Sequence, residues 1–127
     1  MIDYKKHLNS LMRYFAVEGY MRKPYPKIVL EHRKQDGVFI NTGYYNPSNK
    51  EIHLFVEGRH PKDVLRSCAH EIIHHNQNME GRLKTGDYNG ELITEDKKLK
   101  KLEAEAFLKG NLLFREWTET EKKRLNQ

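Results

Sequence analysis

The stretch Ser67-Cys68-Ala69-His70-Glu71-Ile72-Ile73-His74-His75-Asn76-Gln77 decides how this chain is read. Inside it stands His70-Glu71-Ile72-Ile73-His74, two histidines four residues apart with a glutamate directly after the first. On an α-helix such residues share a face, about 6 Å apart along an axis that rises about 1.5 Å per residue. Two imidazoles so placed converge on one zinc ion, whose bonds to nitrogen are about 2.0–2.1 Å long. Glu71 lies one helical step, about 100°, round from His70 and reaches water at the metal without being a ligand. Val64, Leu65, Cys68, Ala69, Ile72 and Ile73 supply apolar residues at helical spacing, so this is a core helix. His70 and His74 then border a buried face, where an unpartnered imidazole is costly and a metal removes the cost. The competing reading is a chance match, an amphipathic helix with surface histidines in a metal-free domain.

Working outward, Gly58-Arg59-His60-Pro61 breaks what precedes, and Pro61 suits the first turn of a helix running to near Met79, with Gly81 as its stop. Residues 3–18 carry Tyr4, Leu8, Leu11, Met12 and Phe15 at helical spacing, with Asp3 as cap and Gly19 as terminator. Pro24 and Pro26 bracket an extended linker. Lys27–His32 and Val38-Phe39-Ile40 are predicted strands about a turn at Gln35-Asp36-Gly37. Thr42–Asn49 is predicted to be a loop, with a turn opening at Asn46-Pro47. Glu51–Val56 alternates polar and apolar residues, which predicts a strand with one face on the core. Consecutive short strands predict a small antiparallel meander. Residues 82–95, with Gly86, Asp87, Asn89 and Gly90, are a predicted loop. The last helix starts near Thr94-Glu95-Asp96 and is expected to be the longest and most buried. It carries Leu99, Leu102, Ala106, Leu113 and Trp117 on one face, thickened by Phe107, Leu108, Leu112 and Phe114. The fold class is α+β, and residues 1–127 form one domain without repeats.

With 37% hydrophobic and 32% charged residues, the core is modest and the surface heavily charged. No apolar run approaches the roughly 20 residues that span a bilayer, which argues against a membrane partner. Met1–His7 leads into no apolar run with a cleavage site, so no signal peptide is expected and a cytoplasmic location fits best. The single cysteine, Cys68, excludes an intramolecular disulfide and reads as a small buried hydrophobe. The net charge of +5 gathers at Lys97-Lys98 with Lys100-Lys101, and at Lys122-Lys123-Arg124. These clusters permit weak contact with nucleic acid, but the acids interspersed with both favour solvated helix faces.

Catalytic zinc sites of this kind use three protein ligands and leave a position for water. The third ligand must come from an element packed across the motif helix, and Glu103-Ala104-Glu105-Ala106 in the closing helix offers two carboxylates amid Leu102, Ala106, Phe107 and Leu108. The competing reading has one or both at the rim of the helix or paired with Lys98, Lys101 or Lys109.

The motif followed some thirty residues later by Glu-x-Glu-Ala resembles the gluzincin group of zinc metallopeptidases, in its compact ImmA/IrrE-like and SprT-like versions. Closest in pattern are small H-E-x-x-H proteins of tailed bacteriophages. The resemblance rests further on Thr42–Pro47, on Gly58–Ser67 directly before the motif and on His75–Leu83 after it, and so covers about residues 38–117. It implies a zincin-like domain, one zinc ion per chain and hydrolysis of a peptide or protein substrate. It also implies His70, His74 and Glu105 as metal ligands and Glu71 as the catalytic base. The usual signature has asparagine where this chain has Phe107, and Glu103 stays open as the alternative ligand. His60, Tyr44, Tyr45 and Arg66 are candidate oxyanion donors by residue type. His75 is expected at the surface or behind a ligand. Strand 51–56 is expected to offer its edge to an extended substrate. Two alternatives remain: a DNA-associated protease of SprT type, and a non-catalytic zinc-binding virion or accessory protein.

Overall fold

The computed structural model describes residues 3–32, 42–83 and 97–125. Helix α1 spans Tyr4–Val17, and the Asp3 carboxylate accepts from the Lys6 N–H at 3.1 Å, as the capping residue predicts. Leu8, Leu11 and Phe15 are its buried stripe. Three strands follow: β1 (Lys27–Glu31), β2 (Gly43–Asn46) and β3 (Glu51–Phe55). Helix α2 covers Pro61–Met79 and helix α3 covers Lys97–Leu125. The architecture is α+β, as expected.

The sheet departs from the expected meander. Its order is β1-β3-β2, with β1 parallel and β2 antiparallel to β3. Apolar alternation sets which face of a strand is buried, but not its neighbour or direction. Ile28 and Leu30 accordingly sit beside Ile52 and Leu54 in a parallel pair that skips a strand. Part of the expected loop 42–49 is strand β2. The turn at its end is as read: Asn46 Oδ1 accepts from the Ser48 N–H at 2.9 Å, and the Lys50 N–H returns to the Asn46 carbonyl at 2.8 Å. Tyr44-Tyr45 before it are good strand formers, but four residues headed by glycine give little periodicity to detect. Gly43 is needed there, since a Cβ would stand 2.7 Å from the His53 carbonyl oxygen. The expected turn at 35–37, the strand at 38–40 and the helix start near Thr94 lie outside the described residues.

Helix α2 is the central element. One side lies on the sheet and the others meet α1 and α3. Pro61 opens it, and His60 caps it, its Nδ1 accepting from the Lys62 N–H at 3.1 Å. Val64, Cys68, Ala69 and Ile72 join Leu11, Phe15, Ile52, Leu54 and Tyr45 in the core. Cys68 is fully buried, and burial raises its thiol pKa, so it packs as a hydrophobe.

Helix α3 runs antiparallel to α2, since Arg66 covers Phe114 while Gln77 meets Leu102. It packs through Leu102, Ala106, Gly110, Leu113 and Trp117. Among the described residues α2, not α3, is the more buried helix. Phe107, Leu108 and Leu112 are 58%, 68% and 56% exposed instead of thickening the core. A single packing stripe turns about 100° per residue, which carries Leu108 and Leu112 to the far side. Among the described residues, no helix is long and apolar enough to cross a membrane.

Candidate metal centre

His70 and His74 stand one turn apart on α2, ring centroids 5.0 Å from each other. The α2–α3 packing brings one carboxylate across both. Glu103 Oε2 lies 2.9 Å from His74 Nε2, and Glu103 Oε1 lies 2.5 Å from His70 Nε2. The donor atoms of His70, Glu71 and His74 also lie within 4.8 Å of one another. Two carboxylates therefore flank one pair of imidazoles.

Satisfaction of these atoms separates their roles. Among the described residues, the buried side-chain polar atoms with no hydrogen bond are His70 Nε2 and Glu71 Oε1. The contact between His70 Nε2 and Glu103 Oε1 is close but lies outside hydrogen-bond geometry. Buried polar groups are rarely left this way, and the donor atoms of His70, Glu71 and His74 are close enough together to hold one metal ion. In a tetrahedral zinc site with bonds of about 2.0–2.1 Å, neighbouring ligand atoms lie roughly 3.3 Å apart, a small opening of the distances seen. The donor set of two imidazoles and a carboxylate suits zinc, and the residues present fit the ion.

The electrostatics follow from the crowding. Burial alone would raise the Glu103 carboxyl, but the neighbouring His70 and His74 outweigh it and hold the group down at about 2. Burial dominates at Glu71 and raises its pKa, opposed by the two histidines and reinforced by Glu103. At His74 burial favours the neutral ring, yet contacts with Glu103 and the charge of Glu71 prevail and raise its pKa. A metal would substitute for the proton that these carboxylates otherwise favour on the His74 ring.

Glu105, the ligand the resemblance implies, is not at the histidines. Its oxygens take Arg82 Nη1 and Nη2 at 2.9 and 2.6 Å, and Gln77 Nε2 at 3.2 Å. Two helical positions rotate a side chain by about 200°, so only one of the pair can face α2's histidines, and here that is Glu103.

Gln77 escaped the sequence reading. It is fully buried, and its Oε1 lies 2.9 Å from His74 Nδ1. Its place three residues after His74, on the same helical face, was the available signal.

His75 is a correction: it is fully buried, away from solvent and from the neighbouring ligands. Its Nε2 donates towards the carbonyls of Arg22 and Pro24 at 3.1 and 2.8 Å. Its Nδ1 must then accept from the Tyr45 hydroxyl at 2.9 Å, which itself accepts from Asn78 Nδ2 at 2.9 Å. Burial lowers the His75 pKa, so the ring is a neutral strut.

The candidate oxyanion donors are engaged elsewhere. His60 caps α2, Tyr45 serves His75, and Arg66 pairs with Asp63 at 2.7 Å. Tyr44 stacks on His53, centroids 4.6 Å apart, on the sheet face opposite Tyr45. Strand β3 offers no edge, because β1 and β2 occupy both sides; among the described residues those two are the edges. In the basic clusters, Lys98, Lys100 and Lys101, and Lys122 to Arg124, are exposed on α3.

Compared with protein-family models, with curated proteins and with solved structures, the chain matches none.

Proposed function

We propose that this protein is a zinc-dependent peptide hydrolase with a zincin-like arrangement, in which His70, His74 and Glu103 hold the metal and Glu71 is the general base. The observation that carries the reading is the meeting of two imidazoles and the Glu103 carboxylate around orphaned His70 Nε2 and Glu71 Oε1. When bound, zinc supplies a Lewis acid that acidifies water and polarises a peptide carbonyl.

The chain's own groups do the rest. Glu103 neutralises charge at the site, and the antiparallel α2–α3 contact keeps its carboxylate on the two rings. Glu71 is 4% exposed and has an oxygen with no hydrogen-bond partner to compete for it. That oxygen takes a proton from the attacking water and delivers it to the leaving amine. Burial, which raises the Glu71 pKa, brings this acid nearer to the working range of such a shuttle.

The test is metal analysis of protein purified without chelator or added zinc, with cleavage measured over a broad peptide library. One zinc per chain and cleavage abolished in Glu71→Gln are expected. Zinc with no cleavage anywhere in the library would support the non-catalytic reading instead. Protein without metal would leave neither.

A further inference from the structure

The ring of His74 is held from behind by a chain of contacts reaching the surface of α3. Gln77 is fully buried between α2 and α3, so water cannot substitute for its partners. Its Nε2 faces the Leu102 carbonyl at 2.9 Å and Glu105 Oε1 at 3.2 Å. Both of those groups only accept, so the amide nitrogen must be the end that faces them. The amide oxygen is thereby turned to His74 Nδ1 at 2.9 Å and must accept from it. His74 therefore keeps a proton on Nδ1, so that Nε2, on the side of Glu103, is the nitrogen a metal would take. Glu105 is in turn fixed by the two-pronged contact from Arg82, which also reaches Glu80 at 3.1 Å.

We infer that Gln77 and Glu105 are positioning residues, a polar relay in which Arg82 orients Glu105, Glu105 orients the Gln77 amide, and Gln77 fixes the tautomer and angle of the metal-binding His74. The inference rests on the zinc-site reading above. It gives Glu105 a task two contacts behind the ligand instead of at the metal. Partners of ligating histidines typically change metal affinity by about 10–100-fold. A leucine at position 77 keeps the volume but leaves the His74 Nδ1–H unpaired.

The relay makes a prediction about polarity that mere packing does not. Q77E retains an acceptor for His74 but sets two carboxylates against each other. Adding E105Q restores a donor–acceptor match between 77 and 105 in the opposite sense, while the Leu102 carbonyl still faces a carboxylate oxygen. The experiment is competition for zinc between each purified full-length variant and a chromophoric chelator, with thermal unfolding run beside it. Expected are affinity about 10–100-fold weaker in Q77L, a smaller weakening in E105Q and in Q77E, and in Q77E/E105Q an affinity above that of Q77E but short of wild type. Wild-type affinity in Q77L and E105Q would overturn the relay while leaving the zinc site standing. A double variant no tighter than Q77E would overturn it as well. Wild-type protein that takes up no zinc would overturn both. Should Q77L fail to fold, the partly exposed position 105 carries the test through E105Q.

Discussion

A Cβ placed on Gly110 of α3 would stand 3.0 Å from Cα of His70 on α2. The two helices therefore meet backbone to backbone one turn before the second histidine. This close approach is what lets a side chain as short as glutamate, at position 103, reach both rings. Gly110→Ala gains helix propensity of about 1 kcal/mol. It also presses on His70 N and Ala69 C, at 3.1 and 3.3 Å, backbone atoms that yield only if a helix moves. Overpacking of this kind costs about 1–3 kcal/mol. The expected outcome is a protein of equal or lower stability whose zinc affinity falls. Chelator competition with unfolding curves measures both; undiminished zinc affinity would show that the crossing distance does not govern the site.

Glu71→Gln preserves shape and removes the proton acceptor. Zinc content is expected to stay at that of wild type while hydrolysis falls by about 10²–10⁴-fold or more. Cleavage assays beside metal analysis decide it, and retained turnover would take Glu71 out of the reaction.

The two acidic residues of α3 separate cleanly. Glu103→Ala removes a group that touches both imidazoles and is expected to weaken zinc binding by more than about 100-fold, beyond the range typical of indirect partners. Glu105→Ala is expected to keep near-stoichiometric zinc with reduced affinity, because Glu105 meets Arg82 and Gln77 and not the histidines. The reverse ranking after exhaustive dialysis would reinstate Glu105 as ligand.

Metal removal should be visible in stability. A ligand that binds only the folded state at about 1,000 times its dissociation constant stabilises by about 4.1 kcal/mol. Zinc in such excess is expected to raise the unfolding midpoint of the wild type by several degrees or more, and chelator to reverse it. Glu103→Ala should respond little to either. Equal shifts in both proteins would place the zinc elsewhere.

Stability should also depend on pH through His75. Its folded-state pKa is lowered from 6.5 by burial, so between the two values the unfolded chain binds more protons than the folded one. Stability is then full above the unfolded value and is lost as pH falls through it. The facing groups are Tyr45, the carbonyls of Arg22 and Pro24, and the more distant Lys50. Denaturant unfolding in chelator at about pH 7.5 and about pH 5.5 should show a steeper loss in wild type than in His75→Gln, whose side chain does not titrate. Equal slopes would mean that His75 is not the group responsible.

Several features were legible locally. Helix α2 was read from its apolar spacing, with Pro61 at its start and Gly81, at φ 76°, just past its end. Those signals act within one turn and need no partner. The same holds for the Asp3 cap and for the turn at Asn46. Strand order was not legible, since Ile28, Leu30, Ile52 and Leu54 would bury the same face in a parallel or an antiparallel pair. The burial of His75 is not legible locally, because its partners, Arg22 and Pro24, lie more than fifty positions away.

The amino-acid order alone determined that a helix presents two histidines and a glutamate on adjacent positions, because helical geometry is a local consequence of spacing and caps. It also narrowed the partner carboxylate to two residues of α3. Which of the two faces the histidines was decided only in three dimensions. The rotation of α3 is set by how Leu102, Ala106, Gly110 and Leu113 seat against α2, and that seating turns Glu103 inward and leaves Glu105 to Arg82.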